Sequence, residues 1–154
     1  MSIEIERKFL VAAESWQRQV VRTRRIKQAY LCASGPASIR VRLQDAEAVL
    51  TIKSAEAGLS RQEFEYAIPA ADAGHLLALR QGAIIEKIRH DVPDGGCMWE
   101  VDVFLGENEG LVVAEIELES AGQDFGRPAW LGEEITGDHR YYNAELAQHP
   151  FSRW

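Results

Sequence analysis

Apolar and charged residues alternate with period two through most of this chain, and that pattern limits what it can fold into more than any other feature. Ile3, Ile5, Arg7, Phe9 and Val11 alternate with Glu4, Glu6 and Lys8. Further on, Ile39, Val41 and Leu43 alternate with Arg40 and Arg42, and Leu50 and Ile52 with Thr51 and Lys53. Phe64, Tyr66 and Ile68 do so with Glu63 and Glu65, and Ile84, Glu86 and Ile88 with Lys87 and Arg89. Trp99, Val101 and Val103 flank Glu100 and Asp102, and Val112, Ala114, Ile116 and Leu118 flank Glu115, Glu117 and Glu119. With a further apolar segment at 24–32, this predicts eight short strands, at 3–11, 24–32, 38–44, 48–54, 61–68, 84–91, 98–105 and 111–119. Turn residues separate them: Ser34-Gly35-Pro36, Asp45-Ala46, Ala57-Gly58 and Pro93-Asp94-Gly95-Gly96. Helices are expected at 13–20, 70–80 and 138–148, the last with Asp138 as N-cap. Short strands joined by tight turns favour an antiparallel sheet. The expected class is α+β, mainly antiparallel β: an eight-stranded barrel with outer helices, one domain over residues 1–154.

The polar face is unusual. A solvated sheet face is ordinarily polar, and any one Glu-x-Glu is worth little. Here like-sign doublets recur six times: Glu4/Glu6, Arg40/Arg42, Glu63/Glu65, Lys87/Arg89, Glu100/Asp102 and Glu115/Glu117. Residues i and i+2 share a face with Cα atoms about 6.6–6.8 Å apart. At an effective dielectric near 20 each doublet repels by roughly 2 kcal/mol. A face chosen for solubility would mix signs. If the apolar face packs under helices, the charged face lines the barrel. Its eight acids and six bases then need ligands: hard divalent cations for the carboxylates, phosphate oxygens for Arg and Lys. Metal and basic clamp together are the apparatus of phosphoryl chemistry.

Other chemistries lack their residues. No GxxxxGK[ST] loop or GxSxG elbow occurs, and Cys32 and Cys97 form no zinc spacing with the four histidines. The net charge of −7 argues, as an average, against nucleic acid or an acidic membrane, and no run of 18 apolar residues suggests a span. The charged start Met1-Ser2-Ile3-Glu4 and unpaired cysteines fit a cytoplasmic protein. A homodimer is expected by base rate.

Glu4-Ile5-Glu6-Arg7-Lys8 resembles the ExExK signature of CYTH domains, the triphosphate tunnel metalloenzymes. The series continues through Ile39-Arg40-Val41-Arg42, Thr51-Ile52-Lys53, Ser60-Arg61-Gln62-Glu63-Phe64-Glu65, Glu86-Lys87-Ile88-Arg89, Glu100-Val101-Asp102 and Glu115-Ile116-Glu117. It is most similar to the short bacterial tripolyphosphatase branch. The resemblance implies an eight-stranded tunnel that hydrolyses a small-molecule triphosphate with Mg²⁺ or Mn²⁺. Glu4, Glu6, Glu115 and Glu117 would be the metal ligands. Glu63, Glu65 and Asp102 would bind a second metal, position water or hold the basic residues. Arg40, Arg42, Lys53, Lys87 and Arg89, with Lys8, would grip the phosphates, and Tyr30 would partner Lys8 in proton handling. Glu119 and Arg140 are read as surface charges. The alternatives are a class IV-type adenylate cyclase, a thiamine triphosphatase and a non-catalytic polyphosphate- or nucleotide-binding module.

Overall fold

A computed structural model describes residues 2–55 and 60–154, so the expected Ala57-Gly58 turn lies outside the described residues. The strands are β1 (Ser2–Val11), β2 (Arg22–Cys32), β3 (Ala37–Gln44), β4 (Glu47–Ser54), β5 (Ser60–Ile68), β6 (Gln81–Asp94), β7 (Cys97–Phe104), β8 (Val112–Glu117) and β9 (Leu131–Glu134). The helices are α1 (Ala70–Ala78) and α2 (Asn143–Gln148). Every pairing is antiparallel, in the order β5-β4-β3-β2-β6-β7-β8-β1-β9, and a β5–β1 pairing closes the ring. β1 makes the closure because it is long: residues 2–5 pair with β5, residues 6–10 with β8, and its end with β9.

The eight expected strands are all present, and β9 is additional. Leu131-Gly132-Glu133-Glu134 is too short to show alternation, and its glycine reads as a breaker. That glycine is there for close approach: a Cβ on Gly132 would lie 2.9 Å from the Leu10 carbonyl oxygen. The expected first helix is a single 3₁₀ segment, Ser15–Gln19. The expected tail helix is split: a 3₁₀ turn at His139–Tyr141, where Asp138 accepts from the Arg140 amide, is followed by extended Tyr142 and then α2.

The apolar faces point outward and are covered over most of the barrel, with Ile3 and Tyr66 left exposed at β1 and β5. Phe9, Trp99, Val101, Ala114 and Ile116 form an outer core with Trp16, Leu118 and Trp130. Its rings meet edge to face: Trp99 lies 5.6 Å from Phe9, 5.8 Å from Phe125 and 5.6 Å from Trp130. α1 covers Ala29, Val41 and Ala48 with Ala73 and Leu77. With the hydrophobic demand met outside, the inward faces are free to carry charge.

At one end the inward faces turn apolar. Tyr30, Ile85, Phe104 and Val113 pack there with Leu146 and Ala147 of α2, so side chains fill that end of the barrel. Gly82 makes this seat possible. Its φ is +74°, and a Cβ would sit 2.6 Å from the Ala147 carbonyl oxygen. Gly82→Ala combines backbone strain with a collision. It is expected to cost about 1–3 kcal/mol and to loosen α2, seen as a lower melting temperature and faster proteolysis of the tail. Among the described residues no helix is long and apolar enough to cross a membrane.

Candidate active site

The inward faces enclose a cavity of about 490 Å³. Glu4, Glu6 and Lys8 (β1), Tyr30 (β2), Arg40 and Arg42 (β3), Lys53 (β4), Glu63 and Glu65 (β5), Lys87 and Arg89 (β6), and Glu115 and Glu117 (β8) all line it. These were the expected site residues. Asp102 is the exception: it is fully buried and is not on the cavity wall.

Strand order segregates the charge in a way sequence order conceals. The basic strands β4, β3 and β6 lie on one arc, with β2 between β3 and β6. The acid-bearing strands β7, β8, β1 and β5 lie consecutively on the other. Half of the wall is therefore mainly cationic and half mainly anionic, with Lys8 and Arg61 as the bases of the acidic half.

On the acidic half the register sets like charges opposite each other. Glu6 pairs with Glu117 and Glu100 with Glu115, an arrangement that is destabilising unless a cation intervenes. Burial, then Glu115, pushes Glu6 up to about 7. Burial also raises Glu63 and Glu117, with Glu4 adding repulsion at both. Burial opposes charge on Glu115 too, but Lys8, 3.2 Å away, and Arg89, 3.7 Å away, outweigh it and hold its pKa well below the usual range. Glu4 is likewise held low against burial by Lys53 at 2.8 Å. Lys53 also meets Glu63 at 3.7 Å, and Arg61 meets Glu6 at 3.8 Å. Among the described residues no three acidic, His or Cys side chains already converge on a metal-sized point. The donor set is all oxygen, as hard divalent cations require. The opposed acids and the raised Glu6 give it a reason to take one.

On the basic half the cations exceed their partners. Asp102 accepts from Arg89 Nε and Nη2, both at 2.8 Å, and meets Lys87 Nζ at 2.7 Å. Burial opposes its charge, but Arg89 and Lys87 outweigh it and lower its pKa. One carboxylate thus serves two cations. Burial draws Lys87 down to about 7, because Asp102 only partly offsets it and Arg89 and Arg42 repel. Burial, then Arg40 and Arg89, lower Arg42 to about 9. Arg40 donates to Thr51 Oγ1 at 3.2 Å, and its buried Nε has no partner. Among the described residues neither Arg40 nor Arg42 has a carboxylate partner within ion-pair range. This half can therefore accept an anion.

The structure also shows what sequence reading passed over. Arg61, Thr51, Tyr142 and Asn143 line the same cavity. Thr51 already stands on the polar parity beside Lys53 but is uncharged, and Arg61 shares parity with Glu63, one step beyond the alternation. Tyr142, whose ring lies 5.5 Å from Lys8 Nζ and 5.4 Å from the Arg61 guanidinium, comes from the tail and had no such signal. Arg140 is paired with Asp138 at 2.7 Å, is not on the wall, and is exposed.

The chain is a closed antiparallel barrel with a charged lumen split between acids and bases. The CYTH domain model matches residues 2–148, and the chain belongs to the CYTH domain family. It is 41% identical over 155 residues to an inorganic triphosphatase of Acetivibrio thermocellus, covering 100% of this chain and 99% of that one. It is 40% identical over 149 residues to an inorganic triphosphatase of Nitrosomonas europaea, covering 94% and 96%. The solved structure of the inorganic triphosphatase NE1496 superposes with a TM-score of 0.70 at 35% identity, covering 94% of this chain and 97% of that one.

Proposed function

We propose that the protein hydrolyses inorganic tripolyphosphate held in this cavity, with Mg²⁺ or Mn²⁺ as cofactor. The observation that carries the proposal is the split wall, with surplus cations on one arc and opposed carboxylates on the other. A triphosphate with a bound divalent cation is complementary to both. The names of the two relatives at about 40% identity support the same reading.

In this reading Arg40, Arg42, Lys53, Lys87 and Arg89 bind and orient the phosphate chain. Glu4, Glu6, Glu115 and Glu117 would hold the cation, which when bound neutralises phosphate charge and polarises the scissile phosphoanhydride. Glu63 and Glu65 orient water toward the terminal phosphorus. Burial works against the Lys8 ammonium, but Glu115 and Glu6 raise its pKa above the usual lysine range. Lys8 therefore stays protonated and acts as a fixed cation, with Tyr30 on the same wall. Asp102 positions Lys87 and Arg89 rather than binding metal, because both its oxygens are already engaged.

Product analysis tests the choice of reaction. Tripolyphosphate, ATP and thiamine triphosphate are incubated with Mg²⁺ or Mn²⁺, and orthophosphate and cyclic AMP are measured. Orthophosphate, fastest from tripolyphosphate, is the expected result; cyclic AMP as the main product from ATP would assign the site to a cyclase. Arg42→Ala is expected to raise KM for tripolyphosphate about tenfold or more, the cost of one charged hydrogen-bonding group, and an unchanged KM would remove Arg42 from the phosphate grip.

A further inference from the structure

One chain of amides inside the barrel is not used by the chemistry above. Arg42 Nε donates to Gln28 Oε1 at 2.9 Å, and Gln28 Nε2 donates to Asn143 Oδ1 at 3.2 Å. Lys87 Nζ donates to the same Asn143 oxygen, also at 3.2 Å. Arginine and lysine can only donate. Arg42 at one end therefore demands the Gln28 oxygen, and Lys87 at the other demands the Asn143 oxygen. A single orientation of each amide satisfies both ends. Gln28 is fully buried and off the cavity wall, so water cannot easily take over its bonds.

Placement makes this chain more than packing. Gln28 is on β2, between the strands that carry Arg42 and Lys87. Asn143 is the first residue of α2, whose Leu146 and Ala147 fill the end of the barrel. The docked tail thus delivers an acceptor to a cation of the basic wall. The acceptor is neutral. Lys87 already meets Asp102 at 2.7 Å; a second carboxylate at 143 would compete with any anion for what charge remains, whereas an amide fixes direction and adds no competing charge.

We propose that Asn143 is a positioning residue for phosphate binding, aiming Lys87 directly and Arg42 through Gln28 without adding a negative charge that would compete with the bound triphosphate. The inference rests on the assignment of Lys87 and Arg42 to the phosphates.

The test is steady-state hydrolysis of tripolyphosphate at saturating Mg²⁺ by the wild type, Asn143→Ala and Asn143→Asp, with the melting temperature of each. Asn143→Ala is expected to raise KM about tenfold, with a much smaller change in kcat. Asn143→Asp is expected to raise KM by a similar factor while melting no lower than the wild type, because it gains an ion pair with Lys87. A residue that merely held α2 in place would not separate stability from binding in this way. If Asn143→Ala fails to fold, the aspartate variant alone decides. Wild-type KM in the variants would overturn the inference and leave the function intact. A wild type that does not turn over tripolyphosphate would overturn the functional assignment, and this inference with it.

Discussion

Glu6→Gln is expected to abolish turnover, by about a hundredfold or more, and at the same time to stabilise the metal-free protein at pH 8. The first effect follows from the proposed metal-ligand role; even residues that only orient metal ligands cost 10–100-fold when changed. The second follows from position. Glu6 faces Glu117 in register, and burial with Glu115 and Glu4 raises its pKa from 4.5 to about 7. An acid whose folded pKa is raised binds its proton more tightly in the folded state than in the unfolded state. Stability therefore falls as pH climbs from about 4.5 through 7, and the full penalty of about 3 kcal/mol is present above that window. Glutamine removes the penalty. Thermal unfolding in EDTA should give the variant the higher midpoint at pH 8, with the advantage gone near pH 4.5. Adding Mg²⁺ should raise the wild-type midpoint and leave the variant nearly unmoved. A variant that is less stable at pH 8, or fully active, would contradict this account of the acidic arc.

Asp102→Ala is expected to be among the most destabilising single substitutions in the chain. It removes the carboxylate held by Arg89 through two bonds of 2.8 Å and by Lys87 at 2.7 Å, and leaves two cations buried without it. Removing one partner of a buried ion pair costs about 3–5 kcal/mol, because the remaining charge keeps its desolvation penalty. Against a typical stability of about 5–15 kcal/mol this is a large fraction. Urea unfolding should show a lower midpoint with an unchanged slope. A stability within about 1 kcal/mol of wild type, together with lost metal affinity, would return Asp102 to the metal site.

Much of the site was legible because a closed barrel is a period-two object. Once the apolar parity was known to face outward, every residue of the other parity was fixed to the lumen, and Glu4, Arg40, Lys87 and Glu117 could be placed without coordinates. What alternation cannot encode is order around the ring. Nothing in the sequence says that β6 lies beside β2 and that β1 closes against both β5 and β8, so the separation into a basic and an acidic arc appeared only with the fold. The same holds for depth. Asp102 and Glu100 share one face of β7, but Asp102 lies where Arg89 and Lys87 enclose it, while Glu100 reaches the cavity wall. The tail was least legible. A helix was expected over 138–148, but its interruption at Tyr142 and the entry of Tyr142 and Asn143 into the barrel from outside its strands leave no periodic trace.

A catalytic lumen, as distinct from a binding site for a polyanion, must turn its ligand over. Phosphorus NMR of the purified protein with tripolyphosphate and Mg²⁺ separates the two. The tripolyphosphate signals are expected to fall with matching growth of orthophosphate and pyrophosphate, a conversion stopped by EDTA and at least about a hundredfold slower in Glu6→Gln. Tripolyphosphate that binds yet persists unhydrolysed with either Mg²⁺ or Mn²⁺ would contradict a catalytic lumen and leave a polyphosphate-binding module.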